Sequence, residues 1–308
     1  MLPLAVSLGW LCYDAPGPFW REAYFVLELL LVTVATRTIT WGAATSALSL
    51  GVGIAAPAVV FAGVGLNALG LDVSESGVGS WGLVPVLEEA LKLVPVMIVA
   101  WQVRRRSKMT LNPSDLLLIG CAAGAGFAMA ENAQLVTHDP GVLRDMARQY
   151  GPSLLVPGAW GAAGYVGHAA ATGFITAGYG LSIALRRRGR AISRLVLVAP
   201  LAYIVMEHML ANLRVDTGSA FTLILGNGRL TPWLFLVMAG AVIANDWRAA
   251  RQTLTHSRIL RFRIAVVRAA VLGQRHVRKP LWQRLHIGTQ ELRLLNATAW
   301  FTFDRRRP

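Results

Sequence analysis

Gly82 to Trp101 reads GLVPVLEEALKLVPVMIVAW, an apolar run interrupted only by Glu88, Glu89 and Lys92. As a helix it would rise about 30 Å, the thickness of a bilayer's hydrocarbon core. Three charges inside such a run call for a reason, because each costs about 2.5 to 3.5 kcal/mol near the membrane centre. Outward from this stretch, further apolar runs lie near residues 23–41, 44–70, 115–136, 157–183, 194–213 and 231–246. The chain is 55% hydrophobic and 15% charged, with a mean hydropathy of +0.49. It therefore reads as an all-α polytopic bundle of about seven spans.

Orientation follows from the basic loops. Arg104, Arg105, Arg106 and Lys108 form one, Arg186, Arg187, Arg188, Arg190 and Arg194 another, and arginine dominates from Arg248 onward. Cationic loops stay in the cytoplasm. The segments around 72–80, 138–153 and 214–229 are mixed or weakly acidic and fit the outer side, so the N-terminus is expected outside and the C-terminus inside. The formal charge of +14 is this loop bias, and no nucleic-acid partner is expected. Residues 1–246 are expected to form one transmembrane domain in contact with the lipid bilayer. Residues 247–308 would follow as a basic cytoplasmic tail, either loosely ordered or an interfacial amphipathic helix. Residues 1–12 lack the basic flank and cleavage site of a removed signal peptide. The excess of arginine over lysine fits a GC-rich bacterial genome, hence a bacterial plasma membrane. Cys12 and Cys121 have no partner spacing, so neither a disulfide framework nor a cysteine metal site is expected.

Polar residues recur at helical spacing in three other spans. Glu131 and Asn132 lie in the fourth, His168 and Thr172 in the fifth, and Glu207, His208 and Asn212 in the sixth. Glu88 and Lys92, His168 and Thr172, and His208 and Asn212 are each i,i+4 pairs, while Glu89 points about 100° away from Glu88. Counting inward from the outer ends at about 1.5 Å per residue puts Glu88, Glu131, His168 and His208 at depths of about 7 to 16 Å. One water-reached polar cluster in the outer half of the membrane accounts for all of them. Taken singly, each residue has a plainer reading: Glu88 and Lys92 as a neutralised pair, Glu131 and Asn132 as interfacial groups, each histidine as an interhelical hydrogen bonder.

Carboxylates that deprotonate water, beside imidazoles and amides that stabilise an oxyanion, suit peptide hydrolysis. There is no Gly-x-Ser-Gly element, no His-Glu-x-x-His zinc signature and no aspartate pair within the spans. Two histidines with two or three carboxylates could still hold zinc, through Glu89, Glu131, His168 and His208. Because neither histidine has a standard zinc spacing, cofactor-free hydrolysis is favoured, with zinc as the alternative.

Glu88-Glu89-Ala90-Leu91-Lys92 resembles the Glu-Glu-x-x-Lys motif of the PrsW intramembrane proteases, and Phe127 to Asn132 resembles their Phe-x-x-x-Glu-Asn motif. His168 to Thr172 and His208 to Asn212 are similar to the later His-x-x-x-Thr and His-x-x-x-Asp/Asn motifs. The likeness covers about residues 80–215. It implies a relative of the CAAX prenyl endopeptidases and bacteriocin-immunity proteins that cuts a single-span membrane protein, such as an anti-sigma factor, from the outer side. On that resemblance Glu88 or Glu89 activates water with Glu131 in support. His168 and His208 stabilise the oxyanion, and Asn132 and Asn212 orient them. Lys92 and Thr172 complete the motifs. Asn212 stands where many relatives carry aspartate. A proton-coupled transporter or a catalytically inactive scaffold is the rival reading, but no inverted repeat is visible and every motif position is filled.

Overall fold

The computed structural model describes residues 16–71, 73, 79–107, 111–138, 166–186, 189–217, 228 and 230–256. Among them every regular element is helical and there is no strand. We number seven helices: α1 Pro16–Val32, α2 Trp41–Ala68, α3 Val84–Ser107, α4 Pro113–His138, α5 His168–Leu185, α6 Arg190–Thr217 and α7 Thr231–His256. A π-helical segment, Gly51–Ala55, interrupts α2, and another, Gly79–Leu83, leads into α3.

Among the described residues, three stretches are long and apolar enough to cross a membrane: Trp41–Ala68, Pro113–Gln134 and Arg190–Leu213. Their burial separates their roles. The apolar window of α4 is 89% buried, whereas those of α2 and α6 are 22% buried. Helix α4 is thus the central post, with Leu117, Leu118, Ile119 and Ala122 in the core beside Phe25, Leu29, Phe174 and Phe235 from α1, α5 and α7. The outer faces of α2, α6 and α7 expose Phe61, Val64, Leu195, Val198, Trp233 and Val237. An apolar belt of this extent is unfavourable in water and matches hydrocarbon.

The start of α4 shows local chemistry setting a boundary. Asn112 Oδ1 accepts from the Asp115 amide at 2.8 Å, and Asp115 Oδ2 accepts from the Asn112 amide at 3.2 Å. This is a reciprocal cap with proline at the first helical position. Asp115 also accepts from the Thr38 amide at 2.6 Å, the Ile39 amide at 3.0 Å and the Thr38 hydroxyl. Ser114 donates its amide to Asp246 of α7 at 2.7 Å. These bonds explain why the first span differs from the expected 23–41. Helix α1 ends at Val32, and the polar run Thr33, Thr36, Arg37 and Thr38 is buried as a turn against the cap of α4.

The fifth span also differs from expectation. The helix was expected over 157–183, but it begins at His168, because Gly167 has φ +89°, a conformation that side-chain-bearing residues rarely adopt. Residues 157–165 of that span, most of the three expected outer segments and the tail beyond 256 lie outside the described residues, as do residues 1–15. Helices α2, α3, α4 and α6 overlap the other expected runs with ends displaced by two to six residues, α2 ending before 70 and α3 starting after 82. The exception is α7, which continues ten residues past 246, to His256.

Candidate active site

The polar residues of α3, α4, α5 and α6 converge. Lys92 Nζ lies 2.7 Å from Glu89 Oε1, 2.6 Å from His168 Nδ1 and 3.9 Å from Glu88 Oε2. His168 Nε2 lies 2.7 Å from Glu131 Oε2. His208 Nδ1 lies 2.9 Å from Glu89 Oε1, and its Nε2 is 3.5 Å from Glu88 Oε2. The two imidazoles meet edge to face with centroids 5.4 Å apart. Phe127 closes the ring of contacts, 4.9 Å from His168 by centroids, with the Lys92 ammonium 4.7 Å over its face. Glu88, Glu89, Lys92, His168 and His208 are all buried, while the Glu131 side chain is 31% exposed. The cluster therefore opens at Glu131.

Small residues allow the convergence. A Cβ on Gly124 would collide with the His168 carbonyl oxygen, and one on Gly126 with the Leu48 carbonyl oxygen. Helix α4 thus packs backbone to backbone against α5 on one side and α2 on the other, and Phe127 follows directly in sequence.

Donor rules fix much of the proton arrangement. An ammonium only donates, so His168 Nδ1 accepts from Lys92 and Nε2–H donates to Glu131. A carboxylate only accepts, so His208 Nδ1–H donates to Glu89, while Nε2 lies 3.5 Å from Glu88 Oε2 without a hydrogen bond between them. The two adjacent glutamates are consequently unlike. Glu89 is wholly buried and its Oε1 lies 2.7 Å from Lys92 and 2.9 Å from His208, whereas Glu88 Oε2 meets the same two groups only at 3.9 and 3.5 Å and has no hydrogen-bond partner. The expected Glu88–Lys92 pair is the long contact of the set, and the short one is Glu89–Lys92.

Other expected residues lie off this ring. Thr172 is buried behind His168 near Gly124, with its hydroxyl unpartnered. Asn212 donates its amide to the Ser80 carbonyl at 3.4 Å, tying α6 to the π-helical segment before α3. Asn132 is buried next to Glu131. Glu207 was noted only as a polar residue of the sixth span. It is 1% exposed and accepts from the Thr231 hydroxyl of α7, a partner 24 residues away that helical spacing cannot reveal.

The donor set fits a divalent cation. Glu88, His168 and His208 each offer a ligand atom within 4.8 Å of the others, and all three are buried. With their carboxyls ionised and the imidazoles neutral, three glutamates outweigh the single Lys92 by two charges, and buried charge of that size needs compensation. This set differs from the expected Glu89, Glu131, His168 and His208 in two places: Glu88 stands in for Glu89, whose Oε1 is engaged by Lys92 and His208, and Glu131 is not among the three.

A family model described as PrsW family intramembrane metalloprotease matches residues 32–245. No curated protein and no solved structure matches the chain.

Proposed function

Because the chain belongs to the PrsW family of intramembrane metalloproteases, we propose that this integral membrane protease hydrolyses a peptide bond of a membrane-anchored protein in the cluster around His168 and His208. The observation that carries this reading is the approach of Glu88 Oε2, a buried oxygen without a hydrogen-bond partner, to within 3.5 Å of His208 Nε2. All seven helices are read as spans, with residues 1–246 as the protease domain, the N-terminus outside, and the basic segment after 246 in the cytoplasm of a bacterial cell. The site then opens toward the outer half of the membrane.

Glu88, His168 and His208 would hold the cation. A bound zinc or similar ion supplies Lewis-acid polarisation and makes water a nucleophile near neutrality. Glu131, at the open side, takes a proton from the attacking water and can return it to the leaving amine. Glu89 fixes the ring and tautomer of His208 through Nδ1–H, and Lys92 holds Glu89 in place, the supporting arrangement that ligating histidines use. Phe127 keeps one wall apolar against His168.

A second reading is metal-free, with Glu88 as the base and the histidines binding the oxyanion. One observation favours it: both ring nitrogens of His168 already have partners, Lys92 and Glu131. An anti-sigma factor or a similar single-span protein is the substrate class either reading takes.

The test compares membrane-protein fragments from cells carrying the wild-type chain with those carrying Glu88→Ala, Glu89→Ala or His168→Ala. Fragments should appear with the wild type alone while each variant still accumulates in the membrane. Identical fragment patterns in all four would refute the hydrolytic reading and leave the transporter or scaffold.

A further inference from the structure

Lys92 on α3 has two glutamates within reach on its own helix. Glu88 stands four residues before it and Glu89 three, and both spacings bring an acid and a base onto one helix face, the four-residue one in the more favourable order. The pairing is nevertheless one-sided. Nζ lies 2.7 Å from Glu89 Oε1 but 3.9 Å from Glu88 Oε2, a buried oxygen with no hydrogen-bond partner. An ammonium has three N–H donors. One goes to Glu89 Oε1 and one to His168 Nδ1 at 2.6 Å. Within reach of the third are Glu88, at the longer distance, and the face of Phe127, whose centroid is 4.7 Å from Nζ. At that separation a ring face attracts a cation, the more so where water is excluded. Lys92 is wholly buried and Phe127 is 2% exposed, so water does not compete. The ring is itself held in place. It meets the His168 imidazole edge to face, with centroids 4.9 Å apart and planes at 68°. A Cβ on Gly51 would come within 3.0 Å of the Phe127 amide nitrogen, so α2 backs α4 closely at this level.

We propose that Phe127 is a positioning residue whose ring face takes the third N–H of Lys92, holds the ammonium on Glu89 and His168, and so keeps it from closing on Glu88. The ring thereby leaves Glu88 Oε2 free for the reaction, either as a ligand to the cation or as the base acting on water. That consequence rests on the hydrolytic reading above, whereas the preference of Lys92 for Glu89 over Glu88 does not. Without the ring face, an unfilled acceptor within reach of the third N–H is Glu88 Oε2, at the four-residue spacing that favours pairing. A Lys92–Glu88 pair would engage the oxygen that the chemistry needs.

The test uses the full-length chain in detergent or nanodiscs. Phe127 is replaced by mono-, di- and trifluorophenylalanine, which keep the shape of the ring while draining charge from its face, and separately by Phe127→Tyr and Phe127→Leu. On a single-span substrate kcat should fall stepwise with fluorine content, by about 10- to 30-fold in all, with KM within about twofold. Phe127→Leu should be at least as slow as the trifluoro form, and Phe127→Tyr, which retains the ring face, should keep most of the rate. A second readout needs no activity. Glu88→Gln should leave the melting temperature of the wild type within about 1 °C and lower that of Phe127→Leu by about 4 °C or more, because only there does it break a Lys92–Glu88 pair. Equal kcat across the fluorinated series, or equal melting shifts in the two backgrounds, would overturn the proposal. If Phe127→Leu does not accumulate, the trifluoro form takes its place in the melting comparison. A wild-type chain that cleaves nothing would remove the hydrolytic reading, while the melting comparison still judges where Lys92 is held.

Discussion

Lys92 Nζ on α3 sits 2.6 Å from His168 Nδ1 on α5, and the same ammonium lies 2.7 Å from Glu89 Oε1. A single buried cation therefore fixes the tautomer of one histidine directly and, through Glu89, the orientation of the other. Removing it strands Glu89 in the interior. Lys92→Met should cost about 3 to 5 kcal/mol of stability, the range for breaking a buried ion pair on one side. Thermal unfolding in detergent checks this, and an unchanged melting temperature would show that Lys92 carries no compensating charge.

Metal content separates the two mechanisms. The purified wild type should carry one divalent cation per chain, and Glu88→Ala or His208→Ala should lose it. Loading requires His168 Nε2 to give up the proton it donates to Glu131, so affinity should fall as pH falls and loading should release protons. Titration at about pH 6 and about pH 8 reads the sign. A metal-free chain that still cleaves after chelation would leave the glutamate-driven route.

The Gly124 contact is steric and needs no charge. In Gly124→Ala the new Cβ meets the His168 carbonyl oxygen, a backbone atom that cannot rotate away. Overpacking of this kind costs about 1 to 3 kcal/mol. Because the displaced atom belongs to His168, kcat should fall more than stability alone explains. Cleavage rates corrected for the folded fraction measure that difference.

Asp115 offers a contrasting control far from the site. Asp115→Ala orphans the buried amides of Thr38 and Ile39, at about 1 to 3 kcal/mol for each unsatisfied donor. Melting should drop, while the metal content and KM of the surviving folded protein stay unchanged. A shift in KM would show that the α1–α2 turn communicates with the cluster.

Much of this architecture was legible in the chain. Charges inside Gly82 to Trp101 and the three other polar spans marked four helices that had to bring their ionisable groups together, because hydrocarbon leaves buried charge no other partner. The structure brings Glu88, Glu89, Lys92, Glu131, His168 and His208 into mutual contact. The boundaries were less legible. Nothing in the hydropathy of 23–41 shows that Thr33 to Thr38 will turn aside to meet Asp115, 77 positions from Thr38. The start of α5 at His168 depends on one backbone angle at Gly167.

The sequence by itself determined the helical class, the apolar lengths, and which residues a buried polar cluster would recruit, since period and hydropathy are local properties. Only the tertiary structure decided that Glu88 and Glu89 differ, that Lys92 pairs closely with Glu89, and that Glu207 reaches Thr231. Each depends on which way a side chain turns between helices that are distant in sequence, and that is set by packing at Gly124 and Gly126 rather than by any spacing along the chain.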